Sequence, residues 1–227
     1  MAKRLKTVFS RIRADGPAAA AAWVLRTLYF RIIPQKQVVW CTDLADYVPD
    51  TAIPETITFK RIPAFHDLDE ADYETLVGRS SELMGTSQRA FIRKKFDQGA
   101  VLWLIMAQGR LAGYRWTLFH DRVSSSVFFP HSEGDVHSVG AELYPDFRGK
   151  NIYQMSNTYL KSTLKNEGYR RLLSETYVWN KRAIRALLKE GNRPVGIATK
   201  FRLGNTMIVI WHDRTGETLQ EAERIEK

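Results

Sequence analysis

Residues 101–119 constrain the fold of this chain more than any other stretch. Val101 to Gln108 and Leu111 to Phe119 are two strand-like runs on either side of Gly109-Arg110, the pattern of a β-hairpin. The first run is apolar throughout, which predicts a central strand. Strand and helix signals alternate around it. Thr56 to Ile62 reads as a strand closed by Pro63, Leu68 to Met84 as a helix, and Ser87 to Phe96 as a second short helix with Ala90, Phe91 and Phe96 inward. Val123 to Phe129 and Val136 to Tyr144 read as two more strands. A helix follows over 150–167, stopped by Gly168. Arg171 to Trp179 reads as a strand, and Lys181 to Glu190 as a helix ended by Gly191. Arg193 to Leu203 and Thr206 to Trp211 form a last hairpin around Gly204-Asn205. The expectation is an α/β domain over 37–213 with a mixed, mostly antiparallel central sheet flanked by helices, and a polar tail over 214–227.

The net charge of +9 and the pI near 9.7 raise the question of a polyanionic partner. The charge is concentrated at one end. Residues 1–42 hold eight Lys or Arg (Lys3, Arg4, Lys6, Arg11, Arg13, Arg26, Arg31 and Lys36) against Asp15, and the rest of the chain holds 26 basic against 24 acidic residues. A nearly neutral body with a basic arm argues against a DNA-binding domain. In the arm, Leu5, Val8, Phe9 and Ile12 fall at i, i+3, i+4 and i+7, one stripe of a helix. Ala18 to Ile33 carries Trp23, Leu25, Leu28, Tyr29 and Phe30, interrupted by Arg26 and Arg31. It is too short and too charged to span a bilayer, and no secretory signal is evident. Three readings of residues 1–36 stay open: a helix at an anionic membrane surface, an organellar presequence, or helices packed on the body or on a second subunit. The localisation expected is cytoplasmic, with peripheral membrane attachment following from the first reading. The oligomeric state is not legible.

Cys41 is the only cysteine, so a disulfide within the chain and a cysteine-built zinc site are both excluded. In the apolar run Val38-Val39-Trp40-Cys41 it reads as a small buried hydrophobe. The histidines His66, His120, His131 and His212 show no ligand spacing, and no metal is expected. Arg89, Arg93, Lys94 and Lys95 read as a solvated helix face or as a grip on an anionic acceptor. Trp103 and Trp116 read as core.

The segment Tyr144-Pro145-Asp146-Phe147-Arg148-Gly149-Lys150-Asn151-Ile152-Tyr153 stands between a strand and a helix. A helix start offers unpaired N–H groups and the positive dipole end, and Arg148 and Lys150 add charge. These are features suited to a pyrophosphate. Leu143-Tyr144-Pro145-Asp146-Phe147-Arg148-Gly149, followed by Asn180 at the end of the next strand and Gly191-Asn192 after the next helix, resembles the GNAT acyltransferase superfamily over about residues 56–212. Two glycines of that family's motif are replaced by Asn151 and Tyr153, the aromatic after Gly191 by Asn192, and its usual acid tyrosine by Leu187.

The resemblance implies an acyltransferase that moves an acetyl or other acyl group from acyl-CoA to the amine of a small or sugar-like acceptor by direct attack. It implies that the strand ending at Leu143-Tyr144 splays from the strand ending at Tyr177–Trp179. Free backbone groups of Leu143 and Tyr144 would meet the pantetheine arm. The N–H groups of Arg148, Gly149, Lys150, Asn151, Ile152 and Tyr153 would cradle the pyrophosphate. Asn180 would bond near the pantetheine, and Arg182 would reach phosphate. For the base, Glu142 ranks first, then Glu175 and His137, with Asp135 also on the strand; for the acid, Tyr153 and Tyr177 stand in by proximity. Strict alternation puts His137 on the opposite strand face from Glu142. Two other readings compete: a non-catalytic binding module of the same fold, and an aminoacyl or peptidyl transferase of that fold using tRNA.

Overall fold

The computed structural model describes residues 35–79, 88–119, 132–203 and 206–213 of the 227-residue chain. The two arm helices, the strand expected at Val123–Phe129 and the tail lie outside these residues. Eight strands form one sheet: β1 (Gln35–Asp43), β2 (Ile57–Ile62), β3 (Val101–Ala107), β4 (Arg110–Phe119), β5 (Asp135–Leu143), β6 (Arg171–Tyr177), β7 (Arg193–Leu203) and β8 (Thr206–Asp213). Four helices are described: α1 (Glu70–Arg79), α2 (Gln88–Asp97), α3 (Ile152–Asn166) and α4 (Lys181–Lys189). The strand order is β2-β3-β4-β5-β6-β1-β7-β8. Only β5 and β6 run parallel; every other neighbouring pair is antiparallel. No described helix is long and apolar enough to cross a membrane.

The β3–β4 hairpin is present, with its turn shifted by one residue. Ala107 pairs with Arg110, so Gln108 and Gly109 are the two central residues, both at positive φ (52° and 71°). That is the geometry whose twist matches the flanking strands, and Gly109 supplies the freedom it needs. Gly168 and Gly191, also at positive φ, follow α3 and α4 as expected.

The largest departure is β1. The run Val38–Cys41 belongs to a nine-residue strand starting at Gln35, inserted between β6 and β7. Val38, Val39, Trp40 and Cys41 are at most 1% exposed. Cys41 is thus a core residue, and burial raises its thiol pKa. A strand covered on both faces and paired on both edges can be apolar throughout.

The sheet separates two layers. On one face α1 and α2 bring Leu76 and Ile92 against Leu102, Leu104, Trp116 and Leu118. On the other, α3 packs Leu160 and Leu164 against Val101, Trp103, Phe119, Val136 and Leu172, and α4 packs Ile184 and Leu187 against Val38, Trp40 and Ile197. Trp103 and Trp116 are core, as their surroundings in sequence suggest. On α2 the inward residue is Ile92 and Ala90 is exposed, because a helix beginning at Gln88 turns Ala90 outward. Lys95 leaves the solvated face expected for it: its ammonium donates to the Val139 carbonyl at 3.2 Å.

Candidate functional site

The parallel β5–β6 ladder runs from Asp135↔Arg171 to Ser138↔Ser174 and stops there. Both strands continue, β5 to Leu143 and β6 to Tyr177, without pairing to each other. β5 keeps pairing with β4, and β6 with β1, so the gap opens inside the sheet. At the closed end the Arg171 guanidinium grips both oxygens of buried Asp135, at 2.7 and 2.5 Å, and the Ser132 N–H adds a third bond at 2.7 Å. Asp135 is therefore part of the clamp and remote from the gap.

Within β5 the register against β4 slips by one residue: Trp116 faces Gly140 and Thr117 faces Ser138, leaving Val139 as a bulge. The slip corrects the face assignment made from strict alternation. Before the bulge His137 stands opposite Leu118, and after it Glu142 stands opposite Tyr114. Leu118 and Tyr114 share a face of β4, so His137 and Glu142 share one too, the face that carries α1 and α2. Gly140 lies between them with φ 144°, and a Cβ there would meet nothing within 4 Å.

The β6 residues next to the gap add to the same face. The Glu175 carboxylate lies 3.8 Å from His137 Nε2 and accepts from the Lys200 ammonium at 2.7 Å, across β1. Glu142 accepts from the Tyr114 hydroxyl at 3.0 Å. Tyr177 follows Glu175 on that side and is paired in register with Gln37. Burial, and then the Glu175 charge, hold the Tyr177 phenol above its ordinary pKa, so it stays protonated at neutral pH. Burial, opposed only by Glu175, lowers the Lys95 pKa, with Lys94 adding to the effect. Glu142, Glu175, His137 and Tyr177 thus share one face of the sheet, and of these His137 and Glu175 are in contact. Tyr153 is apart from them: it lies in the first turn of α3, with the Arg115 guanidinium 5.0 Å from its ring centre. Sequence reading missed Lys200 and Gln37, and named Lys95 only as part of the basic face of its helix. Lys200 carries a signal, as a lone ammonium among the apolar residues Val195, Ile197, Ala198 and Phe201.

On the other side of the gap stands the start of α3. Gly149 and Asn151 both have positive φ (79° and 57°), and Asn151 is the N-cap residue with no side-chain cap bond. Asn is among the few non-glycine residues that adopt this conformation readily, so it fills a glycine position without rebuilding the turn. The first intrahelical bond runs from the Met155 N–H to the Asn151 carbonyl. The N–H groups of Ile152 and Tyr153 precede it at the positive end of the dipole. Lys150 is exposed with its ammonium 5.6 Å from the Phe147 ring centre.

Three expectations change here. Leu143 and Tyr144 do not offer all their backbone groups: the Tyr144 N–H donates to the Ala112 carbonyl at 2.9 Å, and the Leu143 carbonyl accepts from Arg148 Nε at 2.9 Å. Arg148 thus braces the turn with its side chain. Tyr144 itself is buried, with its phenol pKa raised by burial and by the charge of Glu142. Asn180 is the N-cap of α4, its Oδ1 accepting from the Ala183 N–H at 3.2 Å, while Arg182 two residues on is exposed. Leu187, in the place of the family's tyrosine, is buried against Val38 and Trp40.

A separate cavity of about 310 Å³ lies toward the closed end, walled by Thr42, Tyr47, Asn157, Lys161 and Glu190 among others. Its buried ammonium, Lys161, is 3.6 Å from Glu190, which also accepts two bonds of 2.6 Å from the Asn157 amide. Among the described residues there is no group of three or more His, Cys, Asp or Glu placed to hold a metal ion.

No protein-family model and no curated protein matches this sequence. Solved structures do. A GCN5-related N-acetyltransferase from Sphaerobacter thermophilus superposes with a TM-score of 0.53 at 13% identity, over 86% of this chain and 56% of its own. The fold is that of the GCN5-related N-acetyltransferases. A GNAT-family protein from Novosphingobium aromaticivorans gives a TM-score of 0.51 at 14% identity, over 81% of this chain and 67% of its own. The glucosamine N-acetyltransferase region of a fungal multi-domain β-N-acetylglucosaminidase gives 0.51 at 14%, over 79% of this chain and 22% of its own. The chain spans little more than half of the Sphaerobacter protein. In this GNAT-fold chain Glu142, Glu175 and Tyr177 stand on the strand ends that flank the gap between β5 and β6, with His137 at its closed side.

Proposed function

We propose that the protein is an acyl-CoA-dependent N-acyltransferase acting on a small amine. The observation that carries this reading is the β5–β6 ladder ending at Ser138↔Ser174, with Glu142, His137, Glu175 and Tyr177 beside the opening. On this reading acyl-CoA, a cosubstrate, places its pyrophosphate at the N–H groups from Gly149 to Tyr153, the Arg148 N–H being bonded to the Pro145 carbonyl at 3.1 Å, with Arg182 in reach of phosphate. Its thioester then lies in the gap. Two carboxylates on one face suit the approach of an acceptor ammonium. Glu142 takes one proton from that ammonium. The freed amine attacks the thioester carbonyl carbon, the C–S bond breaks, and the sulfur leaves as a thiolate. Tyr177 donates its proton to the sulfur, and the second amine proton restores the tyrosine. Glu175, anchored by Lys200 and next to His137, offers its carboxylate oxygens as acceptors on the acceptor's side. The basic residues 1–34 fit attachment to an anionic membrane surface.

The test is binding and turnover with acetyl-CoA. Acetyl-CoA at a hundred times its Kd raises stability by about 2.7 kcal/mol, seen as a rise in Tm. Thiol release should then depend on an added amine. If neither acetyl-CoA nor a longer acyl-CoA moves Tm, the reading fails and a non-catalytic module of this fold takes its place. Salt-sensitive binding of tRNA would move it to the tRNA-dependent transferases. For the arm, anionic vesicles should co-sediment the full chain and not a chain beginning at Gln35.

A further inference from the structure

At the end of β6, Tyr177 stacks on Trp179, two residues further on, with ring centres 5.2 Å apart and planes 12° from parallel. Trp179 is 53% exposed. One of its faces meets Tyr177, and the indole remains open to solvent. A large ring held flat at the surface of a domain stands out, because the aromatic surface it leaves wet is uncompensated. Its position is specific. Tyr177 alternates with Glu175 and Leu173 along β6 and pairs with Gln37, so the stack stands on the face of Glu142 and His137, not on the face packed by α3 and α4. Polar groups share the face of Tyr177. Gln37 is 8% exposed and hydrogen-bonds the Tyr177 phenol, while its Oε1 has no partner among the described residues. Lys200 and Glu175 lie on the same side, bonded to each other at 2.7 Å.

The geometry points to Trp179 as the floor of an acceptor subsite for an amino sugar in its pyranose form. The inference rests on the acyltransferase reading and names its acceptor class. A pyranose ring has a flat face of C–H groups carrying partial positive charge, edged by hydroxyls. The open indole face is apolar and electron-rich, and suits the C–H face. Amide, carboxylate and ammonium groups on the same face suit the hydroxyls, the pattern of a few polar groups orienting a ligand on an apolar floor. A sugar amine is cationic in water, and Glu175 and Glu142 both lie on the side it would approach. An adenine ring could also stack on an indole. However, the cosubstrate's pyrophosphate is assigned to the start of α3, which packs on the opposite face of the sheet from Tyr177.

The experiment compares the full-length protein with Trp179→Ala and Trp179→Phe. Three readings are taken: the change in tryptophan emission with glucosamine, galactosamine or mannosamine, without acetyl-CoA; the Tm shift with acetyl-CoA alone; and KM for each sugar and for ethanolamine. At least one sugar should change the emission, and Trp179→Phe should abolish that change. Trp179→Ala should raise the KM of that sugar about tenfold or more, with Trp179→Phe smaller, while the acetyl-CoA shift and the KM of ethanolamine stay as they are. The inference is overturned if no sugar changes the emission of Trp179. It is also overturned if sugar KM is indifferent to Trp179→Ala, or if that variant loses the acetyl-CoA shift instead. If acetyl-CoA fails to bind the unmodified protein, the acyltransferase reading falls, and the emission titration still decides the sugar subsite by itself. Trp179 is exposed, so an unchanged melting temperature without ligand should accompany each variant.

Discussion

The two ends of the β5–β6 pair are built from opposite physics. At the closed end a bidentate Arg171–Asp135 clamp, with Ser132, spends its charges on each other and leaves nothing to react. At the open end the backbone ladder is absent, and the charged side chains Glu142, Glu175 and Lys200 stand beside the gap on one face. The clamp makes the opening possible, because two parallel strands pinned at one end can diverge without separating. The lesson is that the site is a place where pairing was withheld, not merely where polar residues were added.

The sharpest way to separate the two ends is to change one charge at each. Glu142→Gln removes the proton acceptor while keeping an oxygen for the Tyr114 hydroxyl. Turnover should fall about 10²–10⁴-fold, with Tm almost unmoved. An equal loss of activity and stability would mean that Glu142 is structural. At the closed end, Arg171→Leu leaves Asp135 buried and uncompensated, and should cost about 3 kcal/mol in urea unfolding. The same change should alter the pH dependence. Burial works to raise the Asp135 pKa, but the hydrogen bonds from Arg171 and Ser132 outweigh it and the net shift is downward. A depressed carboxylate pKa gives stability that is present above the unfolded value of about 3.9 and is lost as pH falls through the folded value. That acid loss should be prominent in the unmodified protein and flattened in Arg171→Leu; identical pH profiles would refute the clamp.

Between the ends, Gly140→Ala tests the bulge. The new methyl meets open space, but φ 144° strains any L side chain, so a cost of about 1–2 kcal/mol is expected. A cost near zero would show that the backbone relaxes, and with it the shared face of His137 and Glu142. The smallest effect is at α4. Asn180→Ala should cost about 1 kcal/mol through loss of the cap to Ala183. If acetyl-CoA affinity falls with no loss of stability, Asn180 serves the ligand instead.

Most strands and all four described helices were legible, because each carries its own periodicity or its own stop signal. Gly168 and Gly191 marked the ends of α3 and α4, and the apolar run of β3 declared a central strand. The parts that were not legible depend on distant partners. β1 owes its place to residues 171–177 and 193–200, which no local pattern in Val38–Cys41 reveals. The bulge at Val139 reversed a face assignment, although Gly140 inside a strand is a signal for such a break. At the site, Glu142, Glu175, His137 and Tyr177 were named from their strands, whereas Lys200 reaches in across β1 and only the folded sheet brings it there.

The position of β1 has a consequence for how the protein is made. It is the first strand of the described chain and an interior strand of the sheet, flanked by β6 and β7. As the polypeptide leaves the ribosome, β2 to β5 emerge and can zip up in sequence. The segment Val38-Val39-Trp40-Cys41 must wait, unpaired, until Arg171 onward has been synthesised. A short apolar stretch with high β-propensity and no charge is a sticky passenger during that interval. Yield of soluble protein should therefore depend on chaperone capacity during translation more than on the stability of the finished fold.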